Sequence, residues 1–254
     1  MSQLQPKPSL LSLSMLMSVV LVLTSLSGCS SQNNTPNSPV SGQNSAQPIS
    51  ETTKTSAGST TAKADANAIK QHMTAGNTQA AAGQWQAALD EFRQVLTMDP
   101  RNVQAHVQSG WASAELKQWD EAKNHLYSAV ALNPENASAH ANLAWVFAEQ
   151  KHWNEAQDEA KKAIDLDPKS AYPHATLAWA YQSTGQNNLA VDEYEKSLEL
   201  NPKLDQSNLA VGILYCNQGQ KPRAEAKLNQ LVKQGSPKSQ ELKIRISKGC
   251  SAAK

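Results

Sequence analysis

The stretch ASAHANLAWVFAEQKHWNEAQDEAKKAIDLDPKS, Ala137 to Ser170, is one unit of a pattern that runs through most of the chain. In its first half His140, Leu143, Ala144 and Phe147 stand at i, i+3, i+4 and i+7, which puts all four on one face of a helix. In its second half Ala156, Ala160, Ala163 and Ile164 make a second helical face. Pro168 follows, where a fixed φ and a missing N–H stop the helix. Nothing in the unit alternates with the period of a strand.

Working outward, the same marks recur. Pro100, Pro134, Pro168 and Pro202 each stand 34 residues after the last, in the contexts MDP, LNP, LDP and LNP. Ala88, Ala122, Ala156, Ala190 and Ala224 keep that period, as do His72, His106, His140 and His174. Three independent series in one phase define an internal repeat, the sign of a solenoid in which each unit contacts its neighbours.

This pattern resembles the tetratricopeptide repeat, a helix, a tight turn and a second antiparallel helix. The units are Ile69–Asn102, Val103–Asn136, Ala137–Ser170, Ala171–Leu204 and Asp205–Lys238. Leu143-Ala144 and Leu177-Ala178 stand where Leu-Gly is usual, Phe147, Tyr181 and Tyr215 hold the large aromatic site of the first helix, and Trp85, Trp119 and Trp153 follow the turn. The resemblance implies an all-α, right-handed superhelical solenoid over residues 68–238. Residues 239–250, with Leu242, Ile244 and Ile246 among charged neighbours, suit a capping helix. The first unit has Ala75-Gly76 and Gln79 in place of larger groups, the fourth has Asn187 and the fifth Lys221 in place of the post-turn Trp. The first and last units are therefore expected to pack less well.

The motif AHANLAW, Ala139 to Trp145, repeats as AHVQSGW and PHATLAW. His with Trp invites a metal, haem or acid–base reading. At about 100° per residue, however, His140 and Trp145 lie about 140° apart on the helix and cannot share a face. His140 falls close to the packing face. The His series sits on helices whose axes are on the order of 10 Å apart, all pointing one way, whereas metal ligands converge to about 2 Å from one ion. Packed imidazoles with hydrogen-bond partners are expected, with no metal and no cofactor.

Trp145 points the other way. In the resembled family the face opposite the core contact lines a concave groove that takes peptides or partner helices. Trp111, Trp145, Trp179 and Ile213 would form a stripe along it, with Val107, Ala141, Ala175 and Leu209 four residues upstream of each. A Trp contributes about 150–250 Å² when buried, so three in line approach the few hundred Å² a monomer usually leaves exposed. Either a partner covers them, or they pack on each other and on neighbouring helices, or the tether or the capping helix lies in the groove. The cationic clamp that some relatives close on a terminal carboxylate is absent, so a partner would be held by apolar packing.

Ahead of the repeats, residues 1–28 read as a targeting segment. Lys7 precedes an apolar run, Leu10 to Leu26, that is short for a membrane span of about 20 residues and ends in Leu-Ser-Gly-Cys. This resembles a bacterial lipoprotein signal, which implies lipidation of Cys29 and anchorage in the cell envelope; Ser30 in place of Asp favours the outer membrane, facing the periplasm. Residues 29–67, rich in Ser, Thr, Asn, Gln, Pro and Ala, lack the apolar surface to order themselves and read as a tether. An oxidising compartment would permit Cys216 and Cys250 to pair.

The 23 Lys and Arg against 22 Asp and Glu give no field to steer nucleic acid. No nucleophile elbow, phosphate loop or thiol-metal signature is present, and tether, repeats and cap use up the chain, so an enzyme is not expected. The expectation is an envelope scaffold that binds a protein or peptide segment through its groove. A periplasmic holdase is the alternative; a metal- or haem-binding protein ranks below both.

Overall fold

The computed structural model describes residues 58–250, with side chains from 65 onward. The targeting segment, Cys29 and most of the expected tether lie outside the described residues. Eleven helices are present and no strand among the described residues: α1 (Gly58–Ala81), α2 (Trp85–Met98), α3 (Val103–Glu115), α4 (Trp119–Leu132), α5 (Ala137–Glu149), α6 (Trp153–Leu166), α7 (Ala171–Ser183), α8 (Asn187–Leu200), α9 (Asp205–Asn217), α10 (Lys221–Lys233) and α11 (Lys238–Ser247). Helix α1 begins inside the stretch expected to be tether. The segment that follows Gly58 contains Ala62, Ala64 and Ala66, and Ala is the best helix former, so a helix already docked by its C-terminal half propagates back through it.

Each helix pair is closed by the same turn. At the end of α5 the His152 N–H bonds the Phe147 carbonyl at 2.9 Å and the Lys151 N–H bonds that of Ala148 at 3.0 Å, the six-to-one and five-to-two bonds that finish a helix when the next residue turns left-handed. That residue is Gly83, Gly185 or Gly219 in three units, but Lys117 (φ 61°) and Lys151 (φ 62°) in the other two. Glycine adopts this conformation freely; lysine does so at a cost.

The Asp-Pro and Asn-Pro motifs act between units. The side chains of Asp99, Asn133, Asp167 and Asn201 each accept the backbone N–H two residues on, at 3.1 Å. Such a side-chain turn reverses the chain without help from distant residues. Asn102 and Asn136 then cap α3 and α5 by accepting from Ala105 and Ala139.

The core runs as a seam along the solenoid. Ala88, Ala122, Ala156, Ala190 and Ala224 are all sealed, and their small size lets paired helices close. Gly110 shows how closely: a Cβ there would stand 2.5 Å from Leu126.

The expectation of a loosely packed last unit is corrected. Leu209, Val211, Leu214 and Tyr215 of α9, Leu231 of α10 and Leu242 and Ile246 of α11 form one continuous buried cluster. The cap supplies bulk that the fifth unit lacks: Leu242 and Ile246 stand one turn apart and face inward, while Ile244 faces solvent. Cys216, near the end of α9, is bonded to Cys250 just past α11, with Cα atoms 4.4 Å apart, so the cap is tied covalently to the last first-helix.

Candidate partner-binding groove

In the middle of the solenoid successive first helices touch one another, α3 with α5 and α5 with α7, while no two successive second helices make more than marginal contact. The first helices therefore form the inner layer and the second helices the outer one. Along the inner layer Trp111, Trp145 and Trp179 occupy equivalent positions and are all half-buried.

Tryptophans on the second helix of the preceding unit half-bury them, as the packing alternative anticipated. Trp111 stands edge-on against Trp85 of the preceding unit, ring centres 4.7 Å apart at 71°, and Trp179 stands the same way against Trp153, at 5.5 Å and 71°. This arrangement sets the positive edge of one ring against the negative face of the other. Trp145 packs on the same apolar cluster as Trp119 and Trp153. The inner tryptophans and the post-turn tryptophans thus pair across the first and third joints between units and share one apolar cluster at the second. The signal lay in the sequence: Trp85 to Trp111, Trp119 to Trp145 and Trp153 to Trp179 share one spacing.

The remaining residues expected along the groove divide. Ala141 and Ala175 are half-buried and present a shallow floor beside the tryptophans. Val107 and Leu209, each 3% exposed, are sealed and offer no surface. Both are corrected from groove to core: Val107 packs with Ala129 and Ala139, and Leu209 joins the C-terminal cluster. Ile213 is half-buried against that same cluster and extends the line toward the cap.

A polar group that the sequence reading passed over also lies here. Glu149, one turn after Trp145 at the end of α5, is hydrogen-bonded by the Trp145 side chain. Burial pushes its carboxyl above the ordinary value; the bond from Trp145 and the charge of Lys117, on the turn after α3, oppose that push without cancelling it. Glu115 holds the equivalent place one turn after Trp111.

The histidines are on the other side of the same helices. His140 Nδ1 lies 2.6 Å from Glu159 and its Nε2 2.9 Å from the Pro134 carbonyl; His174 pairs with Glu193 at 2.6 Å and His72 with Glu91 at 2.7 Å. Each ring ties its own second helix, and His140 also ties the turn before it. Asn208 keeps the second tie in the fifth unit, donating to the Pro202 carbonyl at 3.0 Å. Burial pushes the Glu159 carboxyl up, but bonds from His140 and Lys162 outweigh it and hold the group below its ordinary value. Among the described residues no cluster of three or more His, Cys, Asp or Glu could hold a metal ion. No described helix is long and apolar enough to cross a membrane.

A solenoid of paired helices with an inner apolar line defines the class, a helical-repeat protein of the kind that binds other proteins. Tetratricopeptide repeat family models match residues 79–126, 113–180 and 172–204, so the chain carries tetratricopeptide repeats. Among solved structures it is similar to pilF of Pseudomonas aeruginosa (22% identity, 73% of this chain and 85% of that one, TM-score 0.66). It is also similar to a thermophilic tetratricopeptide-repeat protein of Thermus thermophilus (20% identity, 71% and 97%, TM-score 0.60), and to MamA of Desulfovibrio magneticus (17%, 70% and 97%, TM-score 0.53). At these identities the likeness is one of fold. No curated protein matches.

Proposed function

We propose that this chain is a lipid-anchored scaffold of the bacterial cell envelope, which holds a protein partner by an apolar segment laid along its inner face. The observation that carries the reading is the line Trp111, Trp145, Trp179 and Ile213, carried on successive first helices and only half-buried, so that part of each side chain stays accessible. Ala141 and Ala175 leave room beside the rings for a backbone or a helix to approach. Lipidation at Cys29 and the stretch that follows it would fix the location and raise the effective concentration of the repeats near the membrane. The Cys216–Cys250 disulfide supports an oxidising compartment such as the periplasm, since cytosolic thiols are kept reduced. The proposed role is binding.

A photo-crosslinking residue at Ala141 or Ala175 in native envelopes tests this reading. One or two discrete protein adducts are expected, lost when Trp145 is replaced by Ala. Adducts confined to probes on the outer helices would overturn the groove model. Adducts to many unrelated unfolded chains would favour a holdase instead.

A further inference from the structure

From α3 to α9 the charge of the inner layer is one-sided, whereas α1 carries Lys70. Helices α3, α5, α7 and α9 contain no Lys or Arg; their formal charges are Glu115, Glu149 and Asp205, all negative. Every outer helix carries at least one cation: Arg93 on α2, Lys123 on α4, Lys162 on α6, Lys196 on α8 and Lys227 on α10. Several are committed to carboxylates, as in Arg93–Glu121, Lys162–Glu159, Lys196–Glu193 and Lys227–Glu195. The inner face is therefore apolar with acidic points, and two of these, Glu115 and Glu149, each follow a groove tryptophan by one helical turn.

Resting on the scaffold reading above, we infer that the segment taken by the groove is apolar and basic: a strand or helix whose Lys or Arg reaches Glu149 while its stem lies along Trp145, with a second cation able to use Glu115. The chemistry is complementary at each point. A long basic side chain buries an apolar stem and presents a charged head, and an indole face attracts a cation as well as a hydrocarbon. The Glu149 carboxylate is partly desolvated before any partner arrives, so an incoming cation strips less water from it than from an exposed acid. Lys117 already acts on Glu149 from the α3–α4 turn, but a carboxylate has about four acceptor positions and can serve a second donor. An acidic or C-terminal carboxylate segment meets no cation on α3, α5, α7 or α9 and is repelled there.

A random linear-peptide display library selected on the full-length chain tests the assignment, with peptides counted as groove binders when a Trp145→Phe chain, which keeps an aromatic ring and the fold, retains them poorly. The groove binders are expected to combine apolar residues with at least one Lys or Arg, and to weaken as salt is raised. Selection on a Glu115→Gln, Glu149→Gln chain, checked for unchanged helicity, is expected to lose the basic enrichment. A synthesised binder should bind that variant about tenfold more weakly, an effect of the size expected for a charge-assisted contact. Groove binders without basic enrichment, or a preference that survives both Gln substitutions, would overturn the charge assignment and leave the scaffold reading standing. If no selected peptide depends on Trp145, the scaffold reading falls and this inference with it.

Discussion

His106 and His125 face each other Nδ1 to Nδ1 at 3.2 Å, where the first, third and fourth units pair the same His with a Glu. His106 also contacts the Pro100 carbonyl through Nε2, at 3.1 Å. Since a carbonyl only accepts, that nitrogen carries the proton, so His106 Nδ1 accepts and His125 Nδ1 donates. A further proton on His106 Nδ1 has no acceptor in this contact. Burial is the main cause that lowers the His125 pKa from 6.5; His106 and Arg93 add to it, and Glu121, 3.8 Å away, opposes it. The titratable groups of the adjoining α5 are engaged elsewhere, His140 with Glu159 and Glu149 with Trp145.

The second unit is therefore expected to loosen first in acid. A His whose folded pKa is depressed contributes stability that is present above its unfolded value and lost as pH falls below about 6.5. Glu159, depressed from 4.5, keeps its contribution until pH falls below that ordinary carboxylate value. Between about pH 6.5 and 4.5 the α3–α4 pair weakens while the His140–Glu159 tie holds. Urea unfolding at pH 7.5 and 5.5 should show a loss that His125→Glu, which restores the pairing of the other units, removes. Equal acid sensitivity in the two proteins would refute this account.

The edge-on tryptophans should be energetically coupled. In a double-mutant cycle with Trp85→Phe and Trp111→Phe, the interaction between the two sites is expected at about 0.5–1.5 kcal/mol. Equilibrium unfolding measures it, and a coupling indistinguishable from zero would mean that the rings merely sit near each other.

Lys151 occupies a left-handed turn position held elsewhere by Gly185 and Gly219. Replacing it with Gly removes a backbone cost of about 1–2 kcal/mol and adds back about 0.5–1 kcal/mol of unfolded-state entropy. The Lys151→Gly protein should be more stable, by roughly 0.5–1 kcal/mol. A lower denaturation midpoint would show that the lysine side chain stabilises the turn in another way.

The Cys216–Cys250 bond closes a loop with a sequence separation of 34. In the chain-entropy picture a loop of that length is worth about 4 kcal/mol. Reduction, or Cys216→Ala with Cys250→Ala, should lower the unfolding midpoint and release α11 first, exposing Leu242. Hydrogen exchange resolved by segment would show protection lost in α11 and α9 before α5. Uniform loss along the solenoid would count against a local clamp.

The repeat period, the helix pairs, the turn residues and the cap were all legible in the chain, because each rests on short-range chemistry. Asp167 bonds the backbone two residues away, Pro168 acts on its own φ, and His140, Leu143 and Phe147 share a face whatever lies across from them. The split of His140 from Trp145 followed from helix geometry alone.

What tertiary structure decided is the identity of the neighbour. Whether Val107 lines a groove or joins the core depends on Ala129 and Ala139, and how far Trp111 is covered depends on Trp85 in the unit before. Likewise a packed His finds Glu159 in one unit and His125 in another, and α9 became the most deeply buried first helix because α11 folded over it. A periodic sequence specifies faces and intervals, since those are properties of one helix. Partners belong to the packing of several helices, where a side chain meets residues that no local rule ties to it.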